Sequence, residues 1–219
     1  MLGTGKAVVT ECYNTCFVLS DGKKHFLVDG GGGSGILKQL KSAGIDWKEI
    51  RDIFVTHRHM DHILGVMWLI RMIAQAMKQD EYEGKARIYG HKKVLCILDD
   101  MSHMLLAKRE AEFVGGRIQL VPVSDGDVFD IIGHKTTFFN IHSTKTKQHG
   151  FTMYLNKKDK LACCGDEPYN DTERMYVQGC KWLLHEAFCL TADEGRYAPH
   201  EKHHSTVEEA CATAEKLHV

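Results

Sequence analysis

The chain has almost no net charge. Its 28 lysines and arginines face 29 aspartates and glutamates, a formal balance of −1 over 219 residues. No global basic field therefore argues for a polyanionic partner, although a local patch remains compatible with that balance. No apolar run approaches a membrane span, and the opening Met1-Leu2-Gly3-Thr4-Gly5-Lys6 lacks the apolar centre of a signal peptide. Eight cysteines lack Cys-x-x-Cys spacing, with Cys163 and Cys164 adjacent, which reads as reduced, mostly buried thiols of a cytoplasmic protein. No low-complexity linker divides the chain. One domain over residues 1–219 is expected, or two pseudo-repeated halves around one core. The remaining composition, 43% hydrophobic and 26% charged, is ordinary for a globular protein.

Against this plain background one stretch stands out. Asp52-Ile53-Phe54-Val55-Thr56 reads as a short buried strand, and His57-Arg58-His59-Met60-Asp61-His62 follows it before a helix that runs to about Met77. Side chains at a strand-to-helix junction project from rigid elements into a loop cleft, where α/β proteins keep their chemistry. Neutral imidazole and carboxylate are ligands for zinc and similar borderline cations, and three histidines and an aspartate in six positions are dense enough to hold more than one. A polar loop that is merely histidine-rich is the plainer reading, and the spacing disfavours it.

The rest of the chain alternates strands and helices. Extended segments are expected at Ala7–Thr10, Thr15–Ser20 and His25–Asp29, with a hairpin turn at Asp21-Gly22-Lys23. Gly30-Gly31-Gly32-Gly33-Ser34-Gly35 precedes a helix from about Ile36 to Ala43. Gly30, Gly32 and Gly35 satisfy the dinucleotide fingerprint formally. Alternatively, the glycines let the backbone pass close to a metal site, with Asp29 supporting its ligands. A helix over 61–77 carries core residues such as Met67, Trp68, Ile70 and Ile73. A charged loop 78–85 and a strand 87–89 follow. A long helix is expected over 91–114, ended by Gly115-Gly116. Strands are expected near 117–121, 128–132, 135–141, 151–155, 161–164 and 182–185, with helices near 171–177 and 206–217. Ser205 or Thr206 with Glu208 or Glu209 would cap the last helix.

Isolated ligand types stand at the ends of three later segments. His142 follows Phe138-Phe139-Asn140-Ile141, Asp166 follows Leu161-Ala162-Cys163-Cys164-Gly165, and His204 precedes Ser205-Thr206. Each alone is unremarkable. In order, His-x-His-x-Asp-His, then His, Asp and His, they closely resemble the signature of the metallo-β-lactamase superfamily. The resemblance sharpens toward ribonuclease Z and its small phosphodiesterase relatives. It lies in Leu2-Gly3-Thr4-Gly5, Leu27-Val28-Asp29-Gly30, Gly165-Asp166, Leu184-His185-Glu186-Ala187 and His204-Ser205-Thr206. Phe188 stands where that family usually has threonine. Two features of pre-tRNA processing are missing: the 24 positions from His142 to Asp166 leave no room for an exosite arm, and the Pro-x-Lys-x-Arg-Asn loop is reduced to Asn14.

The resemblance implies an α/β fold, an αββα sandwich of two packed mixed β-sheets with outer helices. It assigns His57, His59 and His142 to one divalent ion and Asp61, His62 and His204 to a second, with Asp166 bridging. Zinc is the metal expected on isolation, with manganese or iron as alternatives. Two such ions lower the pKa of a shared water and supply a hydroxide nucleophile. Asp61 could accept its proton, and His185 is the candidate donor to the departing oxygen. The competing role for His185 is to hold a ligand through its ring N–H. Lys145 and Lys147 could attract a phosphate, although a solvated turn is the simpler reading. His149 and His203 compete weakly with His142 and His204. The expected activity is a phosphodiesterase acting on a small phosphodiester or short nucleic acid, precursor tRNA being disfavoured; no membrane is implied, and the family hints at a homodimer. The alternatives are a lactone, thioester or β-lactam hydrolase on the same fold, or a metal-binding protein without hydrolase activity.

Overall fold

Short runs of β-branched and aromatic residues make the strands of the first half. In the computed structural model, which describes residues 1–219, β1 (Phe17–Asp21), β2 (Lys24–Val28), β3 (Ile50–Val55), β4 (Ala86–Gly90) and β5 (Ile118–Pro122) form one sheet in chain order. β1 and β2 are an antiparallel hairpin, and the remaining pairs are parallel. Parallel neighbours need crossovers, which α1 (Gly35–Ser42), α2 (Met60–Lys78), and α3 (Lys92–Leu105) with α4 (Lys108–Ala111) supply. Ile63, Val66, Leu69, Ile70 and Ile73 of α2 cluster with Leu27, Ile53, Val55 and Ile88 of the strands. At about 1.5–3 kcal/mol for each buried side chain, this face fixes α2 and therefore the histidines at its start.

The glycine run serves that same helix. The Gly30 amide donates to the His62 carbonyl at 2.8 Å, and the Gly65 amide donates to the Gly31 carbonyl at 2.8 Å. A Cβ built on Gly65 would lie 1.7 Å from the Gly30 oxygen, and one on Gly30 would lie 2.3 Å from the Val66 nitrogen. Loop and helix thus meet backbone to backbone, a contact open only to residues without a side chain. The Tyr13 hydroxyl closes the loop from the other side, 2.9 Å from the Gly30 oxygen and 2.8 Å from that of Gly33. Burial pushes its pKa up to about 12.

In the second half β6 (Val128–Ile131), β7 (His134–Asn140), β8 (His149–Tyr154), β9 (Lys160–Cys163) and β10 (Trp182–Leu184) form a second five-stranded sheet, again in chain order. Here the first four strands are antiparallel and only β9 and β10 are parallel. α5 (Arg174–Val177), α6 (Glu194–Tyr197) and α7 (Val207–Lys216) accompany it. Thr206 and Glu209 make the capping box of α7. The chain divides into two compact units, Met1–Val123 and Ser124–Val219. All eight cysteines are free, with Cys16, Cys163, Cys164 and Cys180 buried, and no helix is long and apolar enough to cross a membrane.

Three expected elements differ. Ala7–Thr10 is a turn rather than a strand: Val9 N–H bonds back to the Lys6 carbonyl, which also accepts from Asn14 Nδ2 at 2.9 Å. The helix over 91–114 breaks at Leu106 and Ala107, both extended, because Leu106 turns in to pack on the core. The helix near 171–177 is a 3₁₀ turn followed by one α-helical turn.

Glu173 caps that turn, its Oε1 accepting from Asn170 N–H at 3.1 Å, and it is 1% exposed. Burial, the largest influence, pushes its carboxyl up to about 8. A carboxyl raised on folding contributes fully below its unfolded pKa and loses that contribution as pH climbs towards the folded value. Glu173→Gln keeps the acceptor and cannot ionise. At pH 8 it should be more stable than the parent by on the order of 1–3 kcal/mol, and at pH 4 the two should match. Urea unfolding at both pH values checks this; a gap of the same size at each would refute it.

Candidate metal centre

The ligand-rich stretch begins where β3 ends, and its geometry rests on Asp29, buried at the end of β2 with a left-handed φ of 58°. Asp29 Oδ1 accepts from Thr56 N–H at 2.9 Å, and Oδ2 accepts from the Thr56 hydroxyl at 2.8 Å. Because that hydroxyl gives its proton to Asp29, its oxygen accepts from His57 Nδ1–H, 2.9 Å away. Asp29 Oδ2 also accepts from His62 Nδ1–H at 2.7 Å. One carboxylate thereby fixes two rings in the tautomer that carries its proton on Nδ1 and a lone pair on Nε2, the arrangement a metal ligand requires. His57 Nε2 lies 2.8 Å from His59 Nδ1, so two ring nitrogens already converge on one point. Asp61, in the first turn of α2, brings Oδ2 within 3.6 Å of His62 Nε2. Four donors of the right chemistry are gathered here, and they suit a divalent cation.

In the second unit His142 follows β7 at a left-handed φ of 55°, its N–H donating to Asn140 Oδ1 at 2.9 Å. Asp166 follows β9 through Gly165, which takes a φ of 76°. His204 Nδ1 lies 3.2 Å from Glu186 Oε2, while Glu186 Oε1 accepts from Ser205 N–H at 2.6 Å. His204 is thus another ring turned by a carboxylate. Phe188, the departure from the family motif, stacks on it at 4.9 Å between centroids. His142 and His204 line one cavity of about 330 Å³, together with Glu167, Tyr169, His200 and His203. Thr144 Oγ1 meets His203 Nδ1 at 3.1 Å, and Lys145 Nζ donates to the Lys202 carbonyl, so Lys145 serves to tie two loops. His149 is buried in β8.

His185 is held at both ring nitrogens. Nε2 accepts from Tyr169 N–H at 3.1 Å, and Nδ1 donates to the Glu186 carbonyl at 2.5 Å. Thr56, Glu186 and Phe188 orient the candidate ligands and carry no ligand-like signal of their own in the sequence, although Glu186 lies inside the His-Glu-Ala motif.

The two sheets and their helices match solved structures over nearly the whole chain. Human tRNase Z, short form, superposes with a TM-score of 0.77 at 21% identity, covering 99% of this chain and 87% of that one. The metallo-β-lactamase fold protein YhfI from Bacillus subtilis gives 0.67 at 17% identity, covering 94% and 75%. The chain therefore has the metallo-β-lactamase αββα fold, as its motifs led one to expect. Residues 1–218 match the family model of the Anti-Pycsar protein Apyc1, and the chain belongs to that family. Curated relatives are ribonuclease Z proteins. That of Thermococcus sibiricus is 25% identical, with 100% of this chain and 82% of the relative covered. That of Bradyrhizobium sp. is 26% identical over 89% of this chain, which spans 61% of the relative's length.

Proposed function

We propose that this chain is a cytoplasmic, metal-dependent hydrolase of phosphodiester bonds that works as a single metallo-β-lactamase-like domain over residues 1–219. The observation that carries the reading is the set of oriented imidazoles: His57, His62 and His204 each have Nδ1 engaged by a carboxylate or by a hydroxyl bound to one. Such partners settle the tautomer and raise ligand basicity, work of no use to a surface histidine. Relatives named ribonuclease Z support phosphodiester chemistry.

His57, His59 and His142 would hold one divalent cation and Asp61, His62 and His204 a second, with Asp166 shared. When bound, such a pair supplies a nucleophilic hydroxide near neutral pH and offsets charge on the entering and leaving oxygens. Asp61 takes up the proton of the attacking water, and Asp29 keeps His57 and His62 in register throughout. The cavity of about 330 Å³ beside His142 and His204 has room for a small ligand, which is compatible with a small phosphodiester as substrate. Zinc, manganese and iron all suit this donor set.

Turnover by metal-defined protein of an aryl phosphodiester, a cyclic mononucleotide, a dinucleotide, a precursor tRNA, a lactone and a chromogenic β-lactam tests the proposal. The small phosphodiesters should be cleaved, with about two bound ions per chain. Turnover of only the carbonyl substrates, or no more than trace metal after titration, would overturn it.

His185 is proposed to protonate the leaving oxygen, for which Nε2 must first exchange the Tyr169 N–H for a proton of its own. His185→Ala should then keep both ions while its rate on alkyl phosphodiesters drops roughly 10²–10⁴-fold, with a much smaller loss on aryl esters whose leaving groups need no proton. Equal losses over a leaving-group series, with metal intact, would instead make His185 the residue that positions the Pro168–Asn170 loop through Tyr169.

A further inference from the structure

Glu167 follows Asp166 directly, is 7% exposed, and has no part in the chemistry just described. A carboxylate is buried at a cost unless donors surround it, and its donors here all come from one place. Oε1 accepts from Ser143 Oγ at 2.6 Å and from Gln148 Nε2 at 3.3 Å, and Oε2 accepts from Thr144 N–H at 3.4 Å. All three belong to the segment 143–148, which joins β7 to β8 without regular structure.

His142 stands immediately before that segment. A non-glycine residue in the left-handed region costs on the order of 1–3 kcal/mol and persists only where its surroundings over-determine it. Upstream, the Asn140 side chain caps the His142 amide. Downstream, Ser143 Oγ accepts from the amides of Lys145 at 3.3 Å and Thr146 at 3.2 Å, winding the chain into a tight turn. The Ser143 hydroxyl has a single proton, and Glu167 takes it. The carboxylate thus sets the direction of the hydroxyl, the hydroxyl gathers the turn, and the turn keeps His142 facing the cavity it shares with His204.

We infer that Glu167 is a positioning residue for His142, pre-ordering the 143–148 turn so that this imidazole is delivered to its cation without first being ordered. The inference rests on the proposal that His142 binds metal. Its test uses the full chain, stripped of metal and titrated with Zn²⁺ against a chromophoric chelator and with Co²⁺ by visible absorption. Amide hydrogen exchange of the metal-free protein is followed alongside.

Glu167→Ala should weaken one of the two ions by about 10–100-fold and leave the other at its parental affinity. Exchange should quicken at 143–148 and nowhere else. Glu167→Gln should recover part of the loss, because its Oε1 still accepts from Ser143 while its NH₂ cannot accept from Thr144. Ser143→Ala should weaken the same ion, and the double variant with Glu167→Ala should be no weaker than the worse single one. Should Glu167→Ala fail to fold, Glu167→Gln and Ser143→Ala carry the same comparison. Two ions bound by the parent with unchanged affinities in the variants would sink the positioning role and leave the metal proposal standing. A parent that takes up no ion would overturn both.

Discussion

Asp166→Ala is expected to abolish turnover and to weaken both cations together, whereas His59→Ala should chiefly weaken one. The difference follows from the proposed sharing: a bridging carboxylate would belong to both coordination spheres, and His59 to a single one. The main chain gives Asp166 little freedom to be replaced. Gly165 before it holds a φ of 76°, and a Cβ there would come within 3.1 Å of Ile141 Cδ1. Cys163 and Cys164, just upstream, are buried. Glu167, the next carboxylate in the chain, is tied to the 143–148 turn. Metal analysis and two-ion titration of each variant check the expectation, with activity read on the same samples. If both variants lose one ion and keep the other alike, Asp166 does not bridge.

Gly65→Ala should have the largest effect on stability. Helix propensity alone favours alanine over glycine by about 1 kcal/mol. Packing opposes it far more strongly, since the new methyl would sit 1.7 Å from a backbone oxygen that no rotamer change can move. Relief requires separating α2 from the glycine loop, which breaks the Gly30–His62 and Gly65–Gly31 hydrogen bonds. We expect a loss of more than about 4 kcal/mol, in the range reserved for gross core damage. Gly33→Ala is the internal control: nothing lies within 4 Å of its added Cβ, and its stability should stay within roughly 0.5 kcal/mol of the parent. Urea midpoints of the two variants decide the matter. A Gly65→Ala protein as stable as Gly33→Ala would mean that loop and helix do not meet as described.

Those two glycines also mark the limit of what could be read from the chain. His57, His59, Asp61 and His62 were legible because they are consecutive, and their spacing after an apolar strand is itself the signal. Gly30 and Gly65 lie 35 positions apart, and neither announces the other; the glycine run favours a close backbone approach over a dinucleotide fingerprint, but nothing in the sequence says that α2 is what it approaches. Glu186 and Glu167 were illegible as orienting groups for the same reason. Their partners, His204 with Ser205 and Ser143 with Thr144, stand 18 to 24 positions away, a distance over which sequence carries no geometric constraint. The break at Leu106 has no proline or glycine to advertise it, because packing rather than propensity turns the chain there. Ala7–Thr10 failed for the opposite reason: a local β-branched pattern was overruled by Asn14, whose side chain pins the Lys6 carbonyl into a turn.

In both sheets every strand lies beside the one that precedes it in the chain. No strand has to wait for a later one to fill a gap between neighbours, as doubly wound sheets with interrupted order require. During synthesis, which domains follow from the N-terminus onward, a ribosome that has released Val123 has released every strand of the first sheet, the helix that covers it, and the cluster His57 to His62. The nascent half-protein can therefore order Asp29 against His57 and His62 before the second sheet has emerged, and that sheet can then grow by hairpins from β6 to β9 before the parallel β10 joins it.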